Sequence, residues 1–204
     1  MNKSMYKKVL IFILLINSLS MGSSKRLTNV GTTAAPFLEV GVGSRAIGMG
    51  GAFVGVANDV SALYWNPAGI SRITSPEAVF EKVEWLADIS FNYIGAVIPF
   101  GRWGTAGFFL DAMTVPKMAV RTVDYPEGTG EMFDASSIAF GLSYSYALTD
   151  RFSIGLNGKY IEERIWHEKS HGVAFDIGTL YKTSFSGLRI GATITNFGTS
   201  MSLD

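Results

Sequence analysis

Five consecutive residues, His167-Glu168-Lys169-Ser170-His171, spell H-E-x-x-H. On a helix this spacing puts two imidazoles on one face to hold zinc, with the glutamate as general base. The surroundings argue against that chemistry. Both flanks alternate like strands, Gly172 follows at once, and the only later acids are Asp176 and Asp204. The string reads as an exposed hairpin loop between Trp166 and His171. A second candidate is the run from Gly41 to Gly51, in which Gly43 and Gly48 have the spacing of a phosphate-binding loop. Met49 stands where the loop lysine has to be, and close backbone packing is the simpler account of Gly43, Gly48, Gly50 and Gly51. No G-x-S-x-G string is present, which removes the commonest serine-hydrolase elbow. The expectation is a chain with no catalytic residue, no metal and no cofactor.

The elements around these residues set a different context. Lys3, Lys7 and Lys8 precede an unbroken apolar run from Val9 to Ile16, followed by small residues at Ser18, Ser20 and Gly22. This is the pattern of a signal peptide over residues 1–22, too short to cross a bilayer as a mature helix. With no Cys, neither a lipid-anchored mature N-terminus nor a disulfide framework is available. Removing residues 1–22 takes away three lysines and no acid, so the balance of 17 basic and 17 acidic residues becomes −3, which gives no footprint for nucleic acid. No later apolar run approaches the roughly 20 residues of a spanning helix, which leaves a periplasmic protein or an outer-membrane barrel. Gly 23, Phe 14, Tyr 8 and Trp 4, with 17% charged residues, favour the barrel.

Period-two alternation is cleanest in the second half. Ile138, Phe140, Leu142, Tyr144 and Tyr146 fall on one face and Ala139, Gly141, Ser143 and Ser145 on the other. After the turn Thr149-Asp150-Arg151, Phe152, Ile154, Leu156 and Tyr160 oppose Ser153, Gly155, Asn157 and Lys159. Then Val173, Phe175, Ile177 and Tyr181 oppose Ala174, Asp176, Gly178 and Lys182, and Leu188, Ile190 and Ile194 oppose Arg189, Gly191 and Thr193. Val79 to Leu86, Ser90 to Phe100 and Gly104 to Val115 are further strand candidates, and Asp124 to Met132 a longer polar loop, giving about seven strands in up-and-down order. A face of Gly, Ser, Ala, Asn and Thr opposite an apolar face suits a crowded lumen better than the solvated side of a sandwich. The fold class expected is all-β, the first half of an outer-membrane barrel over residues 79–204. A closed barrel needs at least about eight strands, so the chain reads as the N-terminal part of a longer protein.

Between signal peptide and strands, residues 23–78 hold a punctuated helical stretch, NDVSALYWNPAGIS. Asn58 or Asp59 can cap a first turn that must end at Asn66, because Pro67 disfavours helical geometry before it, and Asn66 can cap a second turn with Pro67 at its first position. Each turn is far below the roughly 12 residues of a marginal isolated helix, so walls must enclose it.

The string AAPFLEVGVGSRAIGMGGAFVGVANDVSALYWNPAGIS resembles the N-terminal signature of the PorV/PorQ family of outer-membrane proteins, related to the FadL-type long-chain fatty-acid transporters. The likeness continues through EWLADISFNYIGAVIPF, PEGTGEMF, LTDRFSIGLNGKYIEE, AFDIGTLY and LRIGATITNFG. It implies a barrel of about fourteen strands whose N-terminal segment, with the motif Asn66, Pro67, Ala68 and Gly69, folds inward as a hatch. It also implies two functions: reception of cargo proteins in type IX secretion, or FadL-like passage of hydrophobic small molecules. A soluble periplasmic binding or adhesion module is the reading from another class. Phe53, Leu63, Tyr64 and Trp65 are the candidates for contact with a hydrophobic ligand or with the hatch wall, and Lys159, Asp176 and Arg189 for a charge cluster in the lumen. The partners expected are outer-membrane lipid, and secreted cargo, secretion components or hydrophobic small molecules.

Overall fold

The computed structural model describes residues 34–201; the expected signal peptide lies outside the described residues. Seven antiparallel strands form one sheet in sequence order: β1 (Glu77–Glu84), β2 (Ser90–Pro99), β3 (Thr105–Ala119), β4 (Met132–Ala147), β5 (Phe152–Ile165), β6 (Glu168–Lys182) and β7 (Arg189–Gly198). The architecture is the all-β meander that the alternation predicts. Among the described residues β1 and β7 each have one neighbour, so the sheet is open. Ahead of it lie a 3-10 turn (Pro36–Glu39), α1 (Ser44–Gly48), α2 (Ala62–Trp65) and a 3-10 helix (Pro67–Arg72).

Polarity across β4 to β6 is the reverse of a soluble sheet. Leu142, Leu156, Phe175 and Ile177 point away from the hatch and are more than half exposed, whereas Ser143, Ser145, Ser153, Asn157 and Asp176 on the other face are buried. What buries them is the segment before β1, which lies on the inner face of the sheet. Contacts reach it from both ends: Gly43 N donates to Glu81 of β1 at 2.7 Å, and Gly191 of β7 lies against the backbone of Val54 and Gly55. The sheet therefore curves about the hatch.

One expectation fails on the inner face of β2 and β3. It is aromatic, not small and polar: Phe91, Tyr93 and Phe109 are buried there with Val97, packed against Phe53, Val60, Leu63 and Ile70 of the hatch. Tyr93 and Phe109 stack at 6.2 Å between ring centroids. Small residues make room for these rings, since a Cβ on Gly141 of β4 would enter the Phe109 ring. The inner wall is thus apolar on the β2–β3 side, and small and polar on the β5–β7 side.

Two loops are shorter than their polarity suggests. β4 begins at Met132, five residues before Ser137, and β6 begins at Glu168, so the segment expected as a loop from Trp166 to His171 is a turn at Trp166 and His167 followed by strand. Trp166 takes a φ of +57°, which closes the turn, and Glu162 and Arg164 of β5 pair with His171 and Lys169 of β6. Polar side chains do not end strand pairing when their backbones stay in register. At Pro116, which cannot donate to the ladder, the β3–β4 register shifts between Val115 and Met118.

The opposite placement of neighbouring phenylalanines on β3 is testable. Phe109→Ala is expected to destabilise the protein by ~3–5 kcal/mol in denaturant unfolding from micelles, because it empties a packed inner site. Phe108→Ala, one residue along on the outer face, is expected to cost far less; equal losses would contradict this register.

Candidate functional site: the hatch and its polar anchor

The hatch forms where the sequence places its stops and caps. Asp59 starts the first turn: its carboxylate accepts from Ser61 N at 3.0 Å, and α2 runs from Ala62 to Trp65. Asn66 is extended, as a residue before proline prefers, and caps the second turn, with its Oδ1 accepting from Ala68 N at 3.1 Å. The same side chain fastens the hatch. Asn66 Nδ2 donates to Val54 O at 2.8 Å within the hatch and to Thr179 O of β6 at 3.0 Å, and the residue is fully buried. All four hydrogen-bonding directions of a carboxamide are scarcely available in so tight a site, yet three are used here.

Backbone can approach this closely because the wall lacks side chains where the hatch arrives. Gly155 of β5 and Gly178 of β6 are register partners. A Cβ on Gly155 would collide with the backbone of Pro67 and Ala68; one on Gly178 would meet Asn66 Oδ1 and Pro67 Cδ; one on Gly191 would strike Val54 O. Ser145 of β4 adds a hydrogen bond to Ala68 O at 3.2 Å. Within the hatch, Gly69 lies against Ala57 and likewise admits no Cβ. The Asn66, Pro67, Ala68 and Gly69 motif therefore sits in a glycine-lined seat.

A charged anchor lies one layer along. Lys159 Nζ and Asp176 Oδ2 are 2.8 Å apart and both are buried. Asn157 Nδ2 donates to Asp176 Oδ2 and to Leu63 O of the hatch, each at 2.8 Å. On β7, two residues oppose Asp176, and the bulge turns Asn196 inward: its N donates to Asp176 Oδ1 at 2.8 Å and its Oδ1 accepts from Lys159 Nζ at 2.7 Å. Asn196 has a φ of +58°, a conformation that Asn tolerates better than most residues. A pair this dry needs further hydrogen bonds, and the two asparagines supply two donors to Asp176 and one acceptor to Lys159.

The other residues singled out from the sequence divide. Arg189 is absent from the charge cluster: it sits at the start of β7, opposite Lys182 and exposed, several residues from Asp176 along the sheet. Asn157 and Asn196 hold the places next to the ion pair, and only cross-strand register and the bulge bring them there. Phe53 and Leu63 are buried in the hatch core, closed to any ligand. Tyr64 and Trp65 are half-buried, packed edge to face at 5.1 Å. They line a cavity of about 420 Å³ with Leu38, Val54, Lys159 and Asn196. Tyr64 Oη donates to Leu38 O at 2.9 Å, and burial, with the carboxylates of Asp111, Glu39 and Asp176 adding to it, pushes its pKa up to about 12. Trp65 Nε1 donates to Val42 O at 2.7 Å.

The glycine run resolves differently from the packing account. Gly43 and Gly51 are in close contact, with Ser61 and the Trp65 ring, but a Cβ on Gly48 or Gly50 would meet open space. Gly50 has instead a φ of +65°, which favours glycine; nothing in the structure explains Gly48. The H-E-x-x-H string forms no metal site. Glu168 to His171 lie on a strand, whose rise of about 3.3 Å per residue carries His171 away from His167 in the turn, and His171 stacks on Tyr160 with Nδ1 at 3.0 Å from its hydroxyl. Among the described residues no cluster of three His, Asp or Glu could hold a metal ion.

Both parts of the seat can be tested in micelles. Asn66→Ala strands the carbonyls of Val54 and Thr179, a loss of about 1–3 kcal/mol for each buried group. Gly178→Ala forces the motif off the wall. Each is expected to expose the part-buried Arg72 to trypsin while the strands stay protected, and unchanged cleavage there would contradict the seat. Lys159→Met leaves Asp176 buried and unpaired and is expected to cost ~3–5 kcal/mol. Adding Asp176→Leu should recover part of that loss in a double-mutant cycle.

A search of curated proteins finds no match to the chain. A family model described as the type IX secretion system protein PorV matches residues 23–204. The match takes in the whole hatch and all seven strands, so the chain belongs to the PorV family of type IX secretion system proteins.

Proposed function

We propose that the chain is the hatch-bearing part of an outer-membrane barrel that receives cargo proteins during type IX secretion. The observation that carries this reading is the inverted polarity of β4 to β6, with an apolar outer face and a small, polar, hatch-filled inner face, in a chain of the PorV family. Rows of Ile, Leu, Phe and Tyr facing outward suit lipid, and they weigh against a soluble periplasmic module. In lipid the free edges of β1 and β7 need partners, because each unpaired backbone group there costs several kcal/mol. The proposed barrel is therefore closed by further strands. In this reading the protein works by binding and gating.

The second reading, passage of hydrophobic small molecules, draws on the cavity beside Tyr64 and Trp65. Its apolar lining is interrupted by Glu39, Lys159 and Asn196, and the hatch core around Phe53 and Leu63 is closed. Cargo reception is favoured for that reason.

Deletion of the gene tests both readings together. Cargo carrying a C-terminal sorting domain is expected to stay in the periplasm while uptake of labelled fatty acid is unchanged. Normal cargo release would sink the first reading, and lost uptake would favour the second. Leu156→Arg, on the outer face of β5, checks the lipid assignment: a cation near the bilayer midplane is expected to destabilise the barrel by ~2–4 kcal/mol and deplete it from the outer-membrane fraction.

A further inference from the structure

At the end of the lumen that carries the short turns after β2, β4 and β6, three cations converge. Lys182 of β6 and Arg189 of β7 are direct cross-strand partners on the inner face. Like charges in that relation repel, and sheets avoid them unless something neutralises them. Arg72, the last residue of the hatch helix, faces the same pocket with Asn58 and Leu180 around a cavity of about 220 Å³. That is room for several waters or one compact group, since a water occupies roughly 30 Å³.

Among the described residues none of the three cations is neutralised. Arg72 Nη1 donates to the carbonyl of Asp150 at 3.0 Å, while its Nη2 is buried without a partner. Among the described residues no carboxylate lies in salt-bridge range of Arg72, Lys182 or Arg189. The nearest acid in sequence to the hatch side of the pocket, Asp59, is held by Arg45 at 3.0 Å. Asn58 Oδ1 accepts from Arg45 as well, which leaves the Asn58 amide free to donate. The adjoining turn adds another cation: Arg151 Nη1 donates to Ser184 at 2.6 Å, and Lys182 N donates to Arg151 O at 2.8 Å.

We infer that Arg72, Lys182, Arg189 and Asn58 form a binding site for a phosphate monoester, at the junction of hatch and sheet. The charge decides between anions. A carboxylate leaves two of three cations uncompensated, whereas a phosphate monoester carries about −1.5 to −2 near neutral pH with three acceptor oxygens, one for each of the three cations. Arg72 supplies the planar fork suited to such oxygens, and Lys182 and Arg189 sit opposite it. Because Arg72 ends the hatch while the other two cations belong to the wall, a bound phosphate ties hatch to sheet. The source is a soluble phosphate or a lipid with a phosphate monoester head.

The test uses the full-length protein in neutral detergent at fixed ionic strength. Inorganic phosphate is titrated calorimetrically in one arm, and in the other the micelles are doped with phosphatidic acid. Saturable binding of inorganic phosphate assigns a soluble ligand; binding only of phosphatidic acid assigns a lipid head. Lys182→Gln and Arg72→Gln are each expected to weaken binding about tenfold or more, from loss of a charged hydrogen bond. Lys182→Gln also removes the like-charge pair, so without phosphate its melting temperature is expected to match or exceed the parent's. This keeps lost binding distinct from lost folding. Absence of binding in both arms, or binding unaffected by both substitutions, overturns the assignment.

Discussion

A hatch made of turns too short to stand alone must find hydrogen bonds for its backbone inside a wall, and the Asn66 carboxamide meets that constraint. It caps the turn that follows it, closes the hatch onto Val54, and reaches the carbonyl of Thr179 in β6. Each of these groups is removed from water, where a buried polar group left unpaired costs about 1–3 kcal/mol. The seat works only if backbone meets backbone, which is why glycine stands at 155, 178 and 191. A side chain at any of them would hold the hatch off by more than a hydrogen bond can stretch.

From that contact the two sides of the lumen follow different rules. Toward β2 and β3 the hatch buries Phe53, Leu63 and Ile70 against Phe91, Tyr93 and Phe109, and the attraction is non-directional. Toward β5, β6 and β7 the contacts are directional: Asn157 to Leu63 O, Ser145 to Ala68 O, Asn66 to Thr179 O. The Lys159–Asp176 pair lies on this second side, and its role is to orient Asn157 and Asn196. A buried ion pair is weak evidence of net stability, because desolvation opposes its Coulomb attraction. Position is what it contributes. The apolar side presses the hatch down, and the polar side fixes where it lies.

This division bears on function in a secretion-system family. A hatch held by packing alone would slide; hydrogen bonds to defined carbonyls fix where it lies. The cavity beside Tyr64 and Trp65 and the cationic pocket at Arg72 lie at separate places along the hatch, so a ligand in one need not occupy the other.

The sequence by itself determined the strand order, the inner and outer face of β4 to β6, the cap at Asn66 and the family. Alternation at period two, the Asn-Pro dipeptide and a run of signature residues are local properties, legible without knowing what lies across the lumen. Tertiary structure alone decided the rest. Asn157 and Asn196 look like ordinary strand residues until register and a bulge bring them to Asp176, and Arg189 leaves the cluster for the same reason, since its partner along the ladder is Lys182. The aromatic inner wall of β2 and β3 was hidden because both faces of those strands carry large apolar residues, so periodicity could not say which face meets the hatch. The glycines that matter most lie in strands, far from the glycine-rich run that drew attention. A glycine's purpose is set by what approaches it, and that approach is a contact between residues about 90 to 140 positions apart.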